Sequence, residues 1–192
     1  MKIEIWSDFM CPFCYMGQQR LQKAIEKYLI EQEIRSKVSL FEIRERIGDG
    51  NLRFTNIEFM DNNNNVRDTF KTGDELLIKV HFDYTSMLEK CTTSQIDIGI
   101  NDLLNTRVSW LSSSIFTNKL DLKKKHIIFK INRLLLMEGT YNLNLYCSTN
   151  LGIADYILNV CKINIIFDDF WKTGKRTAPN IQGYYVPEFK LE

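Results

Sequence analysis

Glu75-Leu76-Leu77-Ile78-Lys79-Val80-His81-Phe82-Asp83-Tyr84 is the stretch whose period decides the fold. Leu76, Ile78, Val80, Phe82 and Tyr84 fall on one side of an extended backbone, and Leu77, Lys79, His81 and Asp83 on the other. Successive side chains of a strand point to opposite faces, so a period of two predicts a half-buried β-strand. Thr72-Gly73-Asp74 punctuates its start. Upstream, Leu52, Phe54, Ile57 and Phe59 give another strand, with a break in phase at Thr55-Asn56 that predicts a bulge; Asp61 to Asn65 is a polar turn. Downstream the pattern returns at Ile96, Ile98 and Ile100, closed by Asn101-Asp102, and again at Ile127, Phe129 and Ile131. Leu134 to Met137 precedes a turn at Glu138-Gly139. Tyr141, Leu143, Leu145 and Cys147, then Ile163, Ile165 and Phe167, and last Gly183 to Phe189 complete the candidate strands. No long helical period occurs between Asn51 and Glu192. A mainly β protein follows, a two-sheet antiparallel β-sandwich of roughly seven to nine short strands, preceded by a short strand-helix segment.

Composition narrows the function classes. The 192 residues are 44% hydrophobic and 12% aromatic, enough to bury a core. Twenty-five Lys and Arg against 24 Asp and Glu leave a formal charge of +1, so nucleic acid is not an expected partner. No apolar run reaches the roughly 18 residues of a membrane span, and MKIEIWSDF has no secretory h-region; a cytoplasmic location without direct membrane insertion is expected. Five cysteines with three widely spaced singles, Cys91, Cys147 and Cys161, argue against a disulfide framework. No G-x-x-x-x-G-K-[ST] loop is present to cradle phosphates, so ATP hydrolysis by that route is not expected.

The N-terminal grammar is different. Ile3 and Ile5 share a face of a short strand ending in Trp6; Cys11-Pro12-Phe13-Cys14 follows; then Leu21, Ile25, Tyr28 and Leu29 recur at helical spacing. A thiol at a helix N-terminus feels the positive end of the macrodipole, which raises its thiolate fraction. Cys11 would attack and Cys14 would resolve the mixed disulfide. The same box can also be half a zinc site, or an inert segment. Zinc lacks its second half, because no other C-x-x-C exists and His81 and His126 stand alone; no metal site and no cofactor are expected. Domain boundaries are expected at 1–34 for the strand-helix fragment, 35–47 for a charged connector, and 48–192 for the sandwich, with Gly48-Asp49-Gly50 as the stop signal.

Two resemblances attach to these halves. MKIEIWSDFMCPFCYMGQQRLQKAI resembles the start of DsbA-like thiol oxidoreductases of the FrnE type, truncated before the strands and cis-proline loop that would complete a thioredoxin fold. That resemblance implies a thiol-disulfide oxidoreductase using Cys11 and Cys14 as the alternative function. Arg46-Ile47-Gly48-Asp49-Gly50, Leu52 to Ile57, Phe70 to Leu76, Leu134 to Leu136, Gly139 to Leu143, Asp155-Tyr156 and Gly183-Tyr184-Tyr185 are similar, in order and spacing, to the C-terminal carbohydrate-binding domain of Wzt-type polysaccharide ABC exporters. The second resemblance implies a mainly β, immunoglobulin-like antiparallel β-sandwich, often paired as a homodimer, that binds the end of an O-antigen-like glycan on the cytoplasmic side before export, with ABC exporter subunits as partners.

Glycan recognition needs aromatic faces for the apolar side of a pyranose, with amides and charges for its hydroxyls. Asn142, Asn144 and Tyr146 form an outward row opposite Tyr141, Leu143, Leu145 and Cys147, and His81 with Lys79 lies on the outward face of the 76–84 strand. Asn142, Asn144, Tyr146 and His81 are therefore the candidate sugar contacts; the plain alternative is a solvated strand face. Trp110 and Trp171 are expected as core or loop anchors. Lys123-Lys124-Lys125-His126 reads as a turn or strand-edge decoration that discourages edge pairing.

Overall fold

A computed structural model describes residues 40–175 and 183–189, which lie in the compact unit Ser39–Glu192. The expected fragment 1–34, with Cys11 and Cys14, lies outside the described residues. Among the described residues eight strands are formed: β1 (Leu52–Met60), β2 (Thr69–Lys71), β3 (Leu76–Tyr84), β4 (Ser94–Asn101), β5 (Arg107–Ser112), β6 (His126–Ile131), β7 (Gly139–Thr149) and β8 (Gly152–Ile166). They make a three-stranded sheet ordered β1-β3-β6 and a five-stranded sheet ordered β2-β8-β7-β4-β5. The single α-helix among the described residues is the one-turn α1 (Ser86–Glu89).

Alternation assembles the core as predicted. Phe54, Ile78, Val80 and Phe82 of the small sheet and Ile96, Ile98, Leu143 and Leu145 of the large one join a single buried cluster. Each such side chain contributes about 1.5–3 kcal/mol relative to its exposed state. The β1 register against β3 shifts between Phe54 and Asn56, which is the predicted bulge. It absorbs the odd spacing from Phe54 to Ile57 and so returns Phe59 to the core. Asp61 closes the following turn by accepting the Asn63 and Asn65 N–H groups at 2.8 and 3.0 Å.

The class of fold is the expected one, and four details differ. The sandwich is not wholly antiparallel, since β2 runs parallel to β8 across Phe70 and Ile165. β5 and β2 were not expected as strands. Gly183–Phe189 is not a strand: it meets Leu136 only through a bridge at Tyr185, although Val186 is fully buried and its N–H bonds to the Leu135 carbonyl. β8 starts at Gly152, well before Ile163, and a bulge that breaks its phase hides the earlier part from a period of two.

The stretch expected as a connector, described from residue 40 on, packs onto the sandwich. Leu40 enters the core, and Ile47 exchanges two backbone hydrogen bonds with Tyr156 at 3.0 and 2.7 Å. The Arg46 guanidinium donates to Asp155 at 2.8 Å and to the carbonyls of Leu40, Ile43 and Phe54, while Asp155 also accepts the Phe54 N–H at 2.8 Å. Burial raises the Asp155 carboxyl above its ordinary value, opposed by the Phe54 N–H and by Arg46. Gly48 makes this docking sterically feasible: at φ +141° its α-carbon passes so near β8 that a Cβ would lie 2.5 Å from the Ala154 carbonyl oxygen.

Candidate functional site

The site is built on the outer face of the large sheet. Directly opposed residues of antiparallel strands share a face, so the register arranges outward side chains in rows. In the first row, Ser112 of β5, Asp97 of β4, Tyr146 of β7 and Tyr156 of β8 lie side by side. In the second, Trp110 faces Gly99, which faces Asn144, which meets the β8 bulge of Leu158, Asn159 and Val160. Arg107, Asn101, Asn142 and Lys162 form the third.

Gly99 is the centre of this lattice. A Cβ there would lie 2.5 Å from the Arg107 Cζ and 2.6 and 2.8 Å from its two Nη atoms, so the guanidinium lies over bare backbone. Arg107 Nε donates to Asn101 Oδ1 at 2.6 Å, fixing the side chain from behind. Trp110, 48% exposed, stands on one side. Tyr146 and Tyr156 stand on the other, edge to face at 5.5 Å and 80°. Together with Asp97 and Asn144 these residues line a cleft of about 220 Å³. Asp97 is held in place by accepting from Ser112 Oγ at 2.5 Å and from Gln95 Nε2 at 3.2 Å. Asn144 Oδ1 accepts the Asn159 N–H at 2.8 Å and so fixes the bulge, whose Asn159 takes φ +50°, a left-handed conformation that asparagine tolerates.

The residues expected from sequence are only partly brought together. Asn144 and Tyr146 line the cleft; Asn142 shares their face one row on, with Nδ2 3.5 Å from the Asp102 carbonyl. Asn142 and Asn144 are both buried, however, where an open strand face had been expected, because β5 and the β8 bulge flank them. His81 lies elsewhere, on the outer face of the small sheet, its Nε2 3.4 Å from Glu58 and its ring 5.8 Å from His126. Trp110 is not a core anchor but an outward side chain on an edge strand, whereas Trp171 is a loop anchor among Phe167, Phe170 and Phe189. Asp97 and Gly99 were legible as the positions alternating with Ile96, Ile98 and Ile100; Arg107, Trp110 and Tyr156 required the strand register.

Neighbouring groups are structural. Asp102 accepts the Leu104 and Thr106 N–H groups at 2.9 and 2.7 Å and the Tyr184 hydroxyl at 2.5 Å. The Tyr184 bond, followed by those N–H groups, holds the Asp102 carboxyl below its ordinary range and raises Tyr184. The described cysteines are free thiols, Cys91 and Cys147 buried and Cys161 half-buried; burial raises the Cys147 and Cys161 thiols well above their ordinary value. No group of three or more His, Cys, Asp or Glu among the described residues is arranged to hold a metal ion.

A family model described as the Wzt C-terminal domain matches residues 44–183. The chain belongs to this family. Among solved structures, the crystal structure of the C-terminal domain of Wzt superposes with a TM-score of 0.55 at 15% identity, covering 81% of this chain and 99% of that one. At that identity the likeness establishes the fold. No curated protein matches the chain. The comparisons lend no support to the DsbA-like resemblance of the N-terminal segment. No helix among the described residues is long and apolar enough to cross a membrane.

Proposed function

We propose that this chain is a glycan-binding module of an ABC-type polysaccharide exporter, acting on the cytoplasmic side, and that sugar occupies the cleft on the outer face of the large sheet. One observation carries the reading: Trp110, Tyr146 and Tyr156 surround a floor that also presents Arg107, Asn144 and Asp97. Flat aromatic faces suit the C–H side of a pyranose, and planar or charged groups suit its hydroxyls. Asn142, one row along, would extend the contact to a second sugar unit. The reading gives the domain a selecting role, with exporter subunits and a second copy of the chain as its protein partners.

Calorimetric titration with repeat-unit oligosaccharides tests it. Saturable binding is expected, undiminished by Cys11→Ser and weakened about tenfold by Trp110→Ala, equivalent to about 1.4 kcal/mol. Trp110 is half exposed, so its truncation leaves the core intact. Binding that ignores Trp110→Ala would move the site elsewhere, and no binding across a broad glycan panel would overturn the proposal.

A further inference from the structure

We infer that the saccharide taken by this cleft is acidic, its carboxylate or phosphate seated on Arg107. The inference rests on the glycan-binding reading above and adds the ligand's charge. It follows from which charges on this face are already committed. Asp97 is buried and bonded to Ser112 and Gln95, and the Asp102 carboxylate is taken up by two turn N–H groups and Tyr184. The two cations of the third row are in the opposite condition. Among the described residues no carboxylate lies within salt-bridge distance of Arg107 or Lys162, and both cations share the outer face of the large sheet with the cleft.

Arg107 is also placed for an anion. Only Nε is used, on Asn101, and the guanidinium rests on Gly99 at the cleft floor between Trp110 and Asn144. Its two Nη groups, with no partner among the described residues, form a planar fork that matches two oxygens of one carboxylate or phosphate, and such charge-assisted pairs exceed neutral hydrogen bonds in strength. Lys162, exposed on the same face across β4 and β7, is roughly 14 Å from the β5 line at ordinary strand spacing. An acidic group on a further sugar unit would meet it there.

The test compares acidic oligosaccharides with their own neutral forms: oligouronates against their methyl esters, and phosphorylated oligosaccharides against the dephosphorylated sugars, each titrated at low and high NaCl. The acidic member of at least one pair is expected to bind about tenfold tighter at low salt. Raising the salt should shrink that margin, Arg107→Gln should erase it, and Arg107→Lys should keep only part. The uronate and phosphate arms identify which anion is recognised. Equal binding of acidic and neutral forms, or an acidic preference untouched by Arg107→Gln, overturns the inference while the glycan-binding reading stands. Absence of binding by every member overturns both. Arg107 is exposed, so its variants are expected to fold, and an unchanged urea midpoint verifies this.

Discussion

Replacing Asp155 by Ala isolates the contact that ties residues 40–47 to the sandwich. Arg46 and Asp155 side chains are only 6% and 3% exposed, and their oxygen and nitrogen are 2.8 Å apart. Removing the carboxylate leaves a buried guanidinium without its counter-charge, which costs about 3–5 kcal/mol. The Phe54 N–H loses its acceptor at the same time, a further penalty of about 1–3 kcal/mol that overlaps the first. A total near 4 kcal/mol is a large share of the roughly 5–15 kcal/mol that stabilises a domain. With a slope of about 2 kcal/mol per molar urea, the unfolding midpoint should fall by about 2 M. The assay is urea denaturation followed by tryptophan fluorescence in a Trp6→Phe background, so that Trp110 and Trp171 report on the sandwich. Arg46→Met combined with Asp155→Leu should recover at least half of the loss, because a partnerless charge is worse than none. It will not recover all, since Arg46 also serves the carbonyls of Leu40, Ile43 and Phe54. A midpoint drop under roughly 0.5 M for Asp155→Ala, about 1 kcal/mol on the same slope, would refute the reasoning.

Gly99→Ala should leave stability within about 1 kcal/mol, since Gly99 needs no positive φ and alanine restricts the unfolded chain. Its methyl must displace the Arg107 guanidinium, so glycan affinity should drop; unchanged affinity in calorimetry would show that Arg107 does not act from that position. Gly48→Ala meets unyielding backbone at 2.5 Å and a φ of +141°, and should lower the urea midpoint by the equivalent of about 2 kcal/mol. The Asp102–Tyr184 bond should supply stability only within a pH window. Asp102 is depressed in the folded state, so its contribution is present above its ordinary 3.8 and lost as pH falls through the folded value; Tyr184 is raised, so its share is present below 10.0 and lost as pH rises through its folded value. The melting-temperature difference between wild type and Tyr184→Phe should therefore narrow in both acid and alkali, and a gap independent of pH would count against the bond.

Strand register separates what could be read in advance from what could not. The Leu76–Tyr84 alternation and the slip at Thr55-Asn56 are local, and both appear where expected. Asn142, Asn144 and Tyr146 were correctly placed on one face, but their burial depends on strands far away in sequence. β5 is six residues with Trp110 and Arg107 outward, too short and mixed for a period to stand out. β8 hides its phase in the bulge at Asn159, which removes Tyr156 from any simple alternation.

By itself, the sequence determined the class of fold, because side-chain alternation is a property of each strand alone and marks which half of it is buried. It also supplied the Asn144 and Tyr146 edge of the cleft. Only the tertiary structure decided that Trp110, Gly99 and Arg107 meet that edge, and that His81 does not. Those partners are brought together by hydrogen-bond register between β5, β4, β7 and β8, and register is fixed by packing across the whole sheet.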